Sequence, residues 1–260
     1  WWFDMHGGWF SSPELLEEIS RERIALEVAI DTDRSSVAEI ALVIDYRSPL
    51  WTESDNRLYE SLIRETLRQI AKIGAPFDVL ELDDLGQARE YRFVIFANAF
   101  LIDAERATMT ASFLKRSRAH ALWLYAPGWM GGNSGCDGVR ALTGFTVRER
   151  AGGILAARVT QTAGVNQSKE FGPDLDLRPQ LAIDGGETLA VYADDARAVA
   201  VARAPRGAGA MILAAVPGLP AWLLRQLAKE AGVSIFSFAD DQIWACRDWI
   251  GMCSGSVGKR

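Results

Sequence analysis

Short apolar runs and helical periods alternate along the first half of the chain. Ile40-Ala41-Leu42-Val43-Ile44, Phe77 to Leu82, Phe93 to Phe96 and Ala121 to Tyr125 predict four strands. Unbroken apolar runs of this length are typical of strands covered on both faces. Leu58, Leu62, Ile63, Leu67, Ile70 and Ile73 recur at helical spacing, and Gly74 with Pro76 ends that helix. Thr52-Glu53-Ser54-Asp55 offers a capping box at its start. Asp103 opens a second helix through Phe113 and Leu114. Upstream, Ser12-Pro13-Glu14 is a helix start, with serine to cap and glutamate at the positive end of the dipole. Leu15, Ile19, Leu26 and Ile30 then form an apolar stripe to about Asp31. Buried strands alternating with helices predict an α/β fold built on a largely parallel, doubly wound sheet.

From Thr146 to Ala204 the pattern changes to short β-rich segments, so the second half reads as β-rich. Leu189 to Tyr192 and Ala198 to Val201 read as antiparallel neighbours across Asp194-Asp195. Met211 to Val216 reads as a further strand. Pro220 opens a helix through Trp222 and Leu227 that Gly232 closes, and Val233 to Phe238 and Gln242 to Cys246 read as the last strands. The segment from Ser254 to Arg260 has the composition of a linker.

Composition narrows the function classes. The 260 residues carry a net charge of −6, with no basic run beyond pairs, which argues against a nucleic-acid partner. The longest uncharged run, Gly207 to Leu224, contains Pro217 and Pro220, so no membrane span is expected. The aromatic, acidic start lacks the basic region of a secretion signal. Three cysteines without close pairing point to a reducing, cytoplasmic setting. With two histidines and no CxxC, the sequence calls for no metal and no cofactor.

Four stretches could carry chemistry. The strand ending Leu124-Tyr125-Ala126-Pro127-Gly128 is where a nucleophile elbow would form, yet no cysteine or serine occupies the turn. Cys136 lies beyond it, and His120 falls at the opposite end of the strand, so a thiol nucleophile would lack its base. Gly128 to Gly135 has the glycine content of a phosphate loop without its spacing or lysine, and reads as a flexible loop. Asp83-Asp84 could pair over a metal or share a proton, but reads as a solvated turn. The opening WWFDMHGGWF places Trp1, Trp2 and Trp9 near Asp4 and His6, a set able to stack on sugar faces and accept hydroxyl protons; a buried strand over Trp1 to Met5 is the plainer alternative.

That opening, followed by Pro13-Glu14-Leu15-Leu16, resembles the end of the catalytic barrel in β-galactosidase-like proteins related to glycoside hydrolase family 42. Ile40 to Asp45, Ile73 to Val79, Val94 to Asn98, Leu124 to Gly128 and Ala215 to Pro220 resemble the domain that follows that barrel. The resemblance implies a flavodoxin-like sheet of the class I glutamine amidotransferase type without amidotransferase chemistry, supporting trimer assembly. It divides the chain into residues 1–36, the last strand of a truncated (β/α)8 barrel with a linker helix; 37–238, the amidotransferase-like domain; and 239–260, a terminal strand leading to a further domain. Trp1, Trp2, Asp4 and Trp9 become substrate-side residues, no catalytic residue is inherited, and the carbohydrate substrate belongs to the intact protein. A homo-oligomer, most simply a trimer, is the partner expected. Two other readings stay open: an amidotransferase- or peptidase-like enzyme using Cys136, and a sugar-binding module.

Overall fold

A computed structural model describes residues 12–52, 57–152, 155–159, 170–176 and 178–255. The chain divides into two compact units, residues 1–37 with 245–251, and residues 38–244 with 252–260. Trp1, Trp2, Asp4 and Trp9, and the Glu53 to Asp55 part of the capping box, lie outside the described residues.

In the first unit, helix α1 spans Pro13–Ala29, close to the expected limits. Ser12 is its N-cap residue, but its hydroxyl donates to Glu14 instead of capping the backbone. The apolar stripe is not packed: no residue of α1 is buried, and Ile19, Leu26 and Ile30 are exposed. Beyond it, the backbone N–H of Asp33 donates to Asp248 Oδ2 at 2.8 Å, and Trp249 Nε1 donates to Thr32 Oγ1 at 2.8 Å.

The second unit holds the sheet. Strands β1 (Ile40–Ile44), β2 (Phe77–Glu81) and β3 (Phe93–Phe96) match the expected runs. They are followed by β4 (Leu101–Ile102), β5 (His120–Leu124), β6 (Met130–Gly131), β7 (Thr146–Glu149), β8 (Ala157–Val159), β9 (Glu170–Phe171), β10 (Leu181–Asp184), β11 (Glu187–Tyr192), β12 (Val199–Arg206) and β13 (Gly209–Ala214). Among the described residues an eleven-stranded sheet runs β2-β1-β3-β5-β13-β12-β11-β8-β9, with β10 pairing β12 and β7 pairing β10. Its first five members are parallel, and counted along the chain they lie in the order 2-1-3-4-5. From β13 onward the pairing is antiparallel, which accounts for the change in sequence pattern after Thr146.

Every residue of β1 and β3 is buried, as their unbroken apolar sequences require. Helix α3 (Ala104–Ser117) is capped by Asp103, whose carboxylate accepts the Arg106 N–H. Helices α4 (Gly135–Thr143) and α5 (Ala221–Glu230) complete the covering layers. The helix predicted over residues 58–73 is wound differently. Glu60–Glu65 is a π turn that tightens into α2, Thr66–Ala71, while Leu62 and Ile70 stay buried. Val233 to Phe238 is not a strand. Phe236 and Ser237 donate their N–H groups to the Gly74 carbonyl, and Phe236 and Phe238 are exposed. Gly74 sits at φ +85°, and a Cβ there would fall 1.8 Å from the Ser237 carbonyl oxygen, so this approach requires glycine. Among the described residues no helix is long and apolar enough to cross a membrane.

At the centre of the sheet Trp123 stacks on Phe96, centroids 3.8 Å apart and planes within 8°. Its Nε1–H meets Met211 Sδ at 2.9 Å, so one side chain ties β3, β5 and β13 together. Trp123→Ala should lower unfolding free energy by about 3–5 kcal/mol, the usual cost of emptying a buried aromatic site. Urea titration followed by far-UV circular dichroism reads this directly; a loss under about 1 kcal/mol would contradict the packing described.

Candidate functional site

In open α/β sheets ligands enter at the carboxyl ends of the strands, where the strand order reverses. Here that point lies between β1 and β3. Asp45 follows β1 and Asn98 follows β3, and both are fully buried. They close the gap like a paired strand extension: Asp45 N–H donates to Asn98 Oδ1 at 2.9 Å, and Asn98 Nδ2 returns a bond to the Asp45 carbonyl at 2.8 Å. The Asp45 carboxylate turns back on its own loop. It accepts the N–H groups of Arg47 and Ser48 at 3.0 and 3.1 Å, and the Ser48 hydroxyl. Ser48 Oγ in turn accepts the N–H groups of Phe100 and Leu101, each at 3.0 Å.

Arg106 completes the plug from the first turn of α3. Its guanidinium donates to Asp45 Oδ1 at 2.7 Å, Asp83 Oδ1 at 2.6 Å and the Leu101 carbonyl at 2.6 Å. Asp83 also binds Arg47 at 2.9 Å. Asp83 and Asp84 lie exposed in a 3-10 turn over Leu82–Gly86, the solvated turn expected, and Asp83 in addition pairs with the buried Arg106. Among the described residues no group of His, Cys, Asp and Glu is arranged to hold a metal ion.

Glu81 is the odd member of this cluster. It ends β2, its Oε1 lies 3.9 Å from Arg106, and its Oε2 is buried without a hydrogen-bond partner. Burial raises its pKa, and the charges of Asp45 and Asp83 add to the rise; backbone N–H groups of Tyr46 and Leu82 act against it.

Two further features stand beside the plug. The elbow position is occupied by Tyr125, at φ +67°. A non-glycine residue held there costs about 1–3 kcal/mol and persists only where its surroundings enforce it. Its N–H donates to the Ala214 carbonyl at 2.7 Å, its hydroxyl to the Pro179 carbonyl at 2.7 Å, and its ring packs edge-on to Phe100. Burial pushes its pKa up, and its hydroxyl is engaged as a donor to the Pro179 carbonyl. The glycine-rich stretch is no phosphate cradle. Gly131 lies in β6, paired with β4, and a Cβ there would fall 2.1 Å from the Ile102 carbonyl oxygen. A Cβ on Gly138 would fall 1.9 Å from Gly128 O. These glycines serve close backbone packing.

Cys136 sits half-buried in the first turn of α4. Burial and the charges of Glu149 and Asp137 raise its thiol pKa, the reverse of what a nucleophile needs. His120 stands at the amino end of β5, as the sequence implies, with its pKa lowered by burial. The sequence reading missed Arg106, Asp45, Ser48 and Asn98 as a unit. The available signal was a single polar residue closing each of two buried apolar runs.

No family profile matches the sequence, and a comparison with curated proteins finds none that matches. Solved structures do match. The β-galactosidase from Bacillus circulans sp. alkalophilus superposes with a TM-score of 0.66 at 18% identity, over 87% of this chain and 36% of that one. The cold-adapted β-galactosidase from Rahnella sp. R3 gives 0.66 at 16% identity, over 89% of this chain and 38% of that one. A GH42 β-galactosidase from G. stearothermophilus gives 0.62 at 16% identity, over 90% of this chain and 36% of that one. The fold is thus that of a domain found within β-galactosidases, and the chain spans little more than a third of their length.

The plug makes a pH prediction. A carboxyl whose pKa is raised by folding is bound by its proton more tightly in the native state. Its contribution is present at low pH and is lost as pH rises from the ordinary Glu value, about 4.3, through the folded value. Glu81→Gln should remove that loss, so the variant gains stability relative to the parent as pH rises toward neutrality. Urea midpoints measured across that range test this; parallel curves for the two proteins would refute it.

Proposed function

We propose that this chain is a non-catalytic assembly domain of a β-galactosidase-like glycoside hydrolase. The observation that carries the reading is the filled switch point: Arg106, Asp45, Asn98 and Ser48 occupy the crevice where a ligand of such a sheet would bind. The likeness to β-galactosidase domains supplies the parent class. The strand order 2-1-3-4-5 is that of flavodoxin-like sheets. A buried tyrosine at the elbow suits an amidotransferase-like scaffold that lacks amidotransferase chemistry. The carbohydrate substrate, and a role in carbohydrate metabolism, would belong to the intact protein, with Trp1, Trp2, Asp4 and Trp9 on its substrate side. Symmetric association, most simply a closed trimer, is what such a domain would contribute. The free cysteines Cys136, Cys246 and Cys253 suit a reducing, cytoplasmic setting.

The alternative of a thiol enzyme draws no support from Cys136, whose surroundings disfavour the thiolate. The purified chain should hydrolyse no aryl galactoside above background; activity that survives repurification and is lost on mutation of one of its carboxylates would sink the reading. The assembly role is tested in the gene product that carries this chain, by light scattering coupled to size exclusion. Deleting residues 37–238 should lower the number of subunits per particle, with folding of the remainder checked by circular dichroism. A folded deletion variant that keeps the parent's oligomeric state would remove the assembly role.

A further inference from the structure

At the amino edge of the sheet, opposite the plug, α3 ends at Ser117 and Arg118 follows as its C-cap residue at φ +52°. Strand β12 ends in Arg206, and Gly207 and Ala208 turn the chain into β13. A Cβ on Gly209 would fall 2.3 Å from the Ala119 carbonyl oxygen and 2.8 Å from that of Arg118, so this hairpin lies directly against the end of the helix. Beside that approach is a cavity of about 360 Å³, within the roughly 300–1,000 Å³ of small-molecule sites. Lys115, Arg118 and Arg206 supply its charge, and Ala111, Leu114 and Ala208 its apolar wall.

Among the described residues none of these three cationic side chains enters an ion pair or a side-chain hydrogen bond. Arg203, three residues before Arg206 on the same strand, is by contrast held by Glu187 and Glu230. Arg206 is half-buried, and burial lowers its pKa with no carboxylate acting against the shift. A cation in the last turn of a helix suits the negative end of the dipole, which accounts for Lys115. That field does not account for Arg206, which comes from another element. Nor does it account for the backbone of Arg118, since a left-handed residue after a helix is most cheaply a glycine. A desolvated, unpaired guanidinium and a strained arginine cap thus meet at one cavity, in a chain whose net charge is −6.

We propose that this cavity binds a small phosphate monoester without an aromatic ring, its phosphoryl oxygens taken by Lys115, Arg118 and Arg206 and its organic part resting on Ala111 and Leu114. A phosphate dianion offers charge and acceptors enough for three cations, and the planar fork of arginine matches its oxygens in pairs. A bare ion would leave the apolar wall uncovered. Among the described residues the lining holds no aromatic side chain on which a nucleobase could stack, so a phosphorylated sugar or polyol fits better than a nucleotide. The site needs no second copy of the chain, and it stands or falls apart from the assembly role.

Isothermal titration calorimetry of the full chain with glucose 6-phosphate should show saturable binding of one ligand per chain. Arg206→Ala should weaken it roughly 10-fold or more, the worth of a hydrogen bond to a charged group. Ala208→Glu, in the exposed turn, should do the same without disturbing a buried side chain. Arg118→Gly separates binding from stability: it should weaken binding while raising the urea midpoint, because glycine relieves the cap. Arg197→Ala, which removes an exposed arginine outside the cavity, should leave binding unchanged. No saturable heat at millimolar glucose 6-phosphate, or equal weakening in Arg197→Ala, would overturn the proposal. Unphosphorylated glucose or inorganic phosphate binding as tightly as the ester would also overturn it, leaving a sugar site or a bare anion site. Adenosine monophosphate binding more tightly than the ester would make the cavity a nucleotide site and overturn it too.

Discussion

The Arg106 guanidinium is the contact on which the carboxyl edge depends. It reaches from α3 to the end of β1 through Asp45 and to the turn after β2 through Asp83. It also takes the carbonyl of Leu101 in β4. Residues far apart in sequence thus share one buried cation. Removing one partner of such a cluster strands the others, at a cost of about 3–5 kcal/mol. Replacing the whole cluster with apolar groups can cost much less, so its value lies in fixing an arrangement. What it fixes is the loop after β1, where the Asp45 carboxylate accepts two backbone N–H groups and the Ser48 hydroxyl and Ser48 Oγ accepts two further backbone N–H groups, while Leu50 and Trp51 at the far end of the turn stay exposed.

The same cluster explains the cost carried by Glu81. Three carboxyl groups, Asp45, Glu81 and Asp83, share the neighbourhood of Arg106, and Arg47 adds a second cation only at the exposed rim. Asp45 and Asp83 take the short contacts. Glu81 is left at 3.9 Å with one oxygen unbonded, and its raised pKa follows from that geometry. A catalytic site would turn such a group toward substrate. Here it faces a filled crevice, which makes it a liability to stability above the ordinary carboxylate range.

Much of the fold was readable from the chain. Strands β1 and β3 are covered on both faces, so nothing polar interrupts Ile40 to Ile44 or Phe93 to Phe96. The turn at Asp194-Asp195 was legible because its flanking runs pair as neighbours. Val233 to Phe238 misled because apolar residues that anchor a wrapping segment by backbone bonds to Gly74 have the same composition as a strand. The π turn left no trace, since Leu58, Leu62 and Ile70 keep a helical spacing whether the ladder closes at four residues or five. The stripe on α1 was legible as a face but not as an exposed one, because amphipathic spacing says which side is apolar and not what covers it. The plug was least legible. Asp45, Asp83 and Arg106 each resemble a turn or helix-start residue when read alone, and only the topology brings them together.

Tyr125 shows what the sharp turn after β5 does in this sheet. A sharp turn after a central parallel strand is a costly feature, and at φ +67° a tyrosine bears that cost without glycine's relief. Nucleophile elbows accept such strain because it lifts a reactive atom clear of the sheet. Here the strain lifts nothing into solvent. The ring is buried against Phe100, and the hydroxyl bonds the Pro179 carbonyl, joining the parallel half of the sheet to the loop before β10. The turn geometry therefore serves cohesion between the parallel and antiparallel halves. Beside it, Gly128 and Gly138 approach so closely that neither tolerates a Cβ, and the cavity they border is rigid on that side. A carboxyl edge whose crevice is filled and whose elbow is buried keeps, among the described residues, the small apolar cavity between α3 and α4 as relief beside the glycine pair.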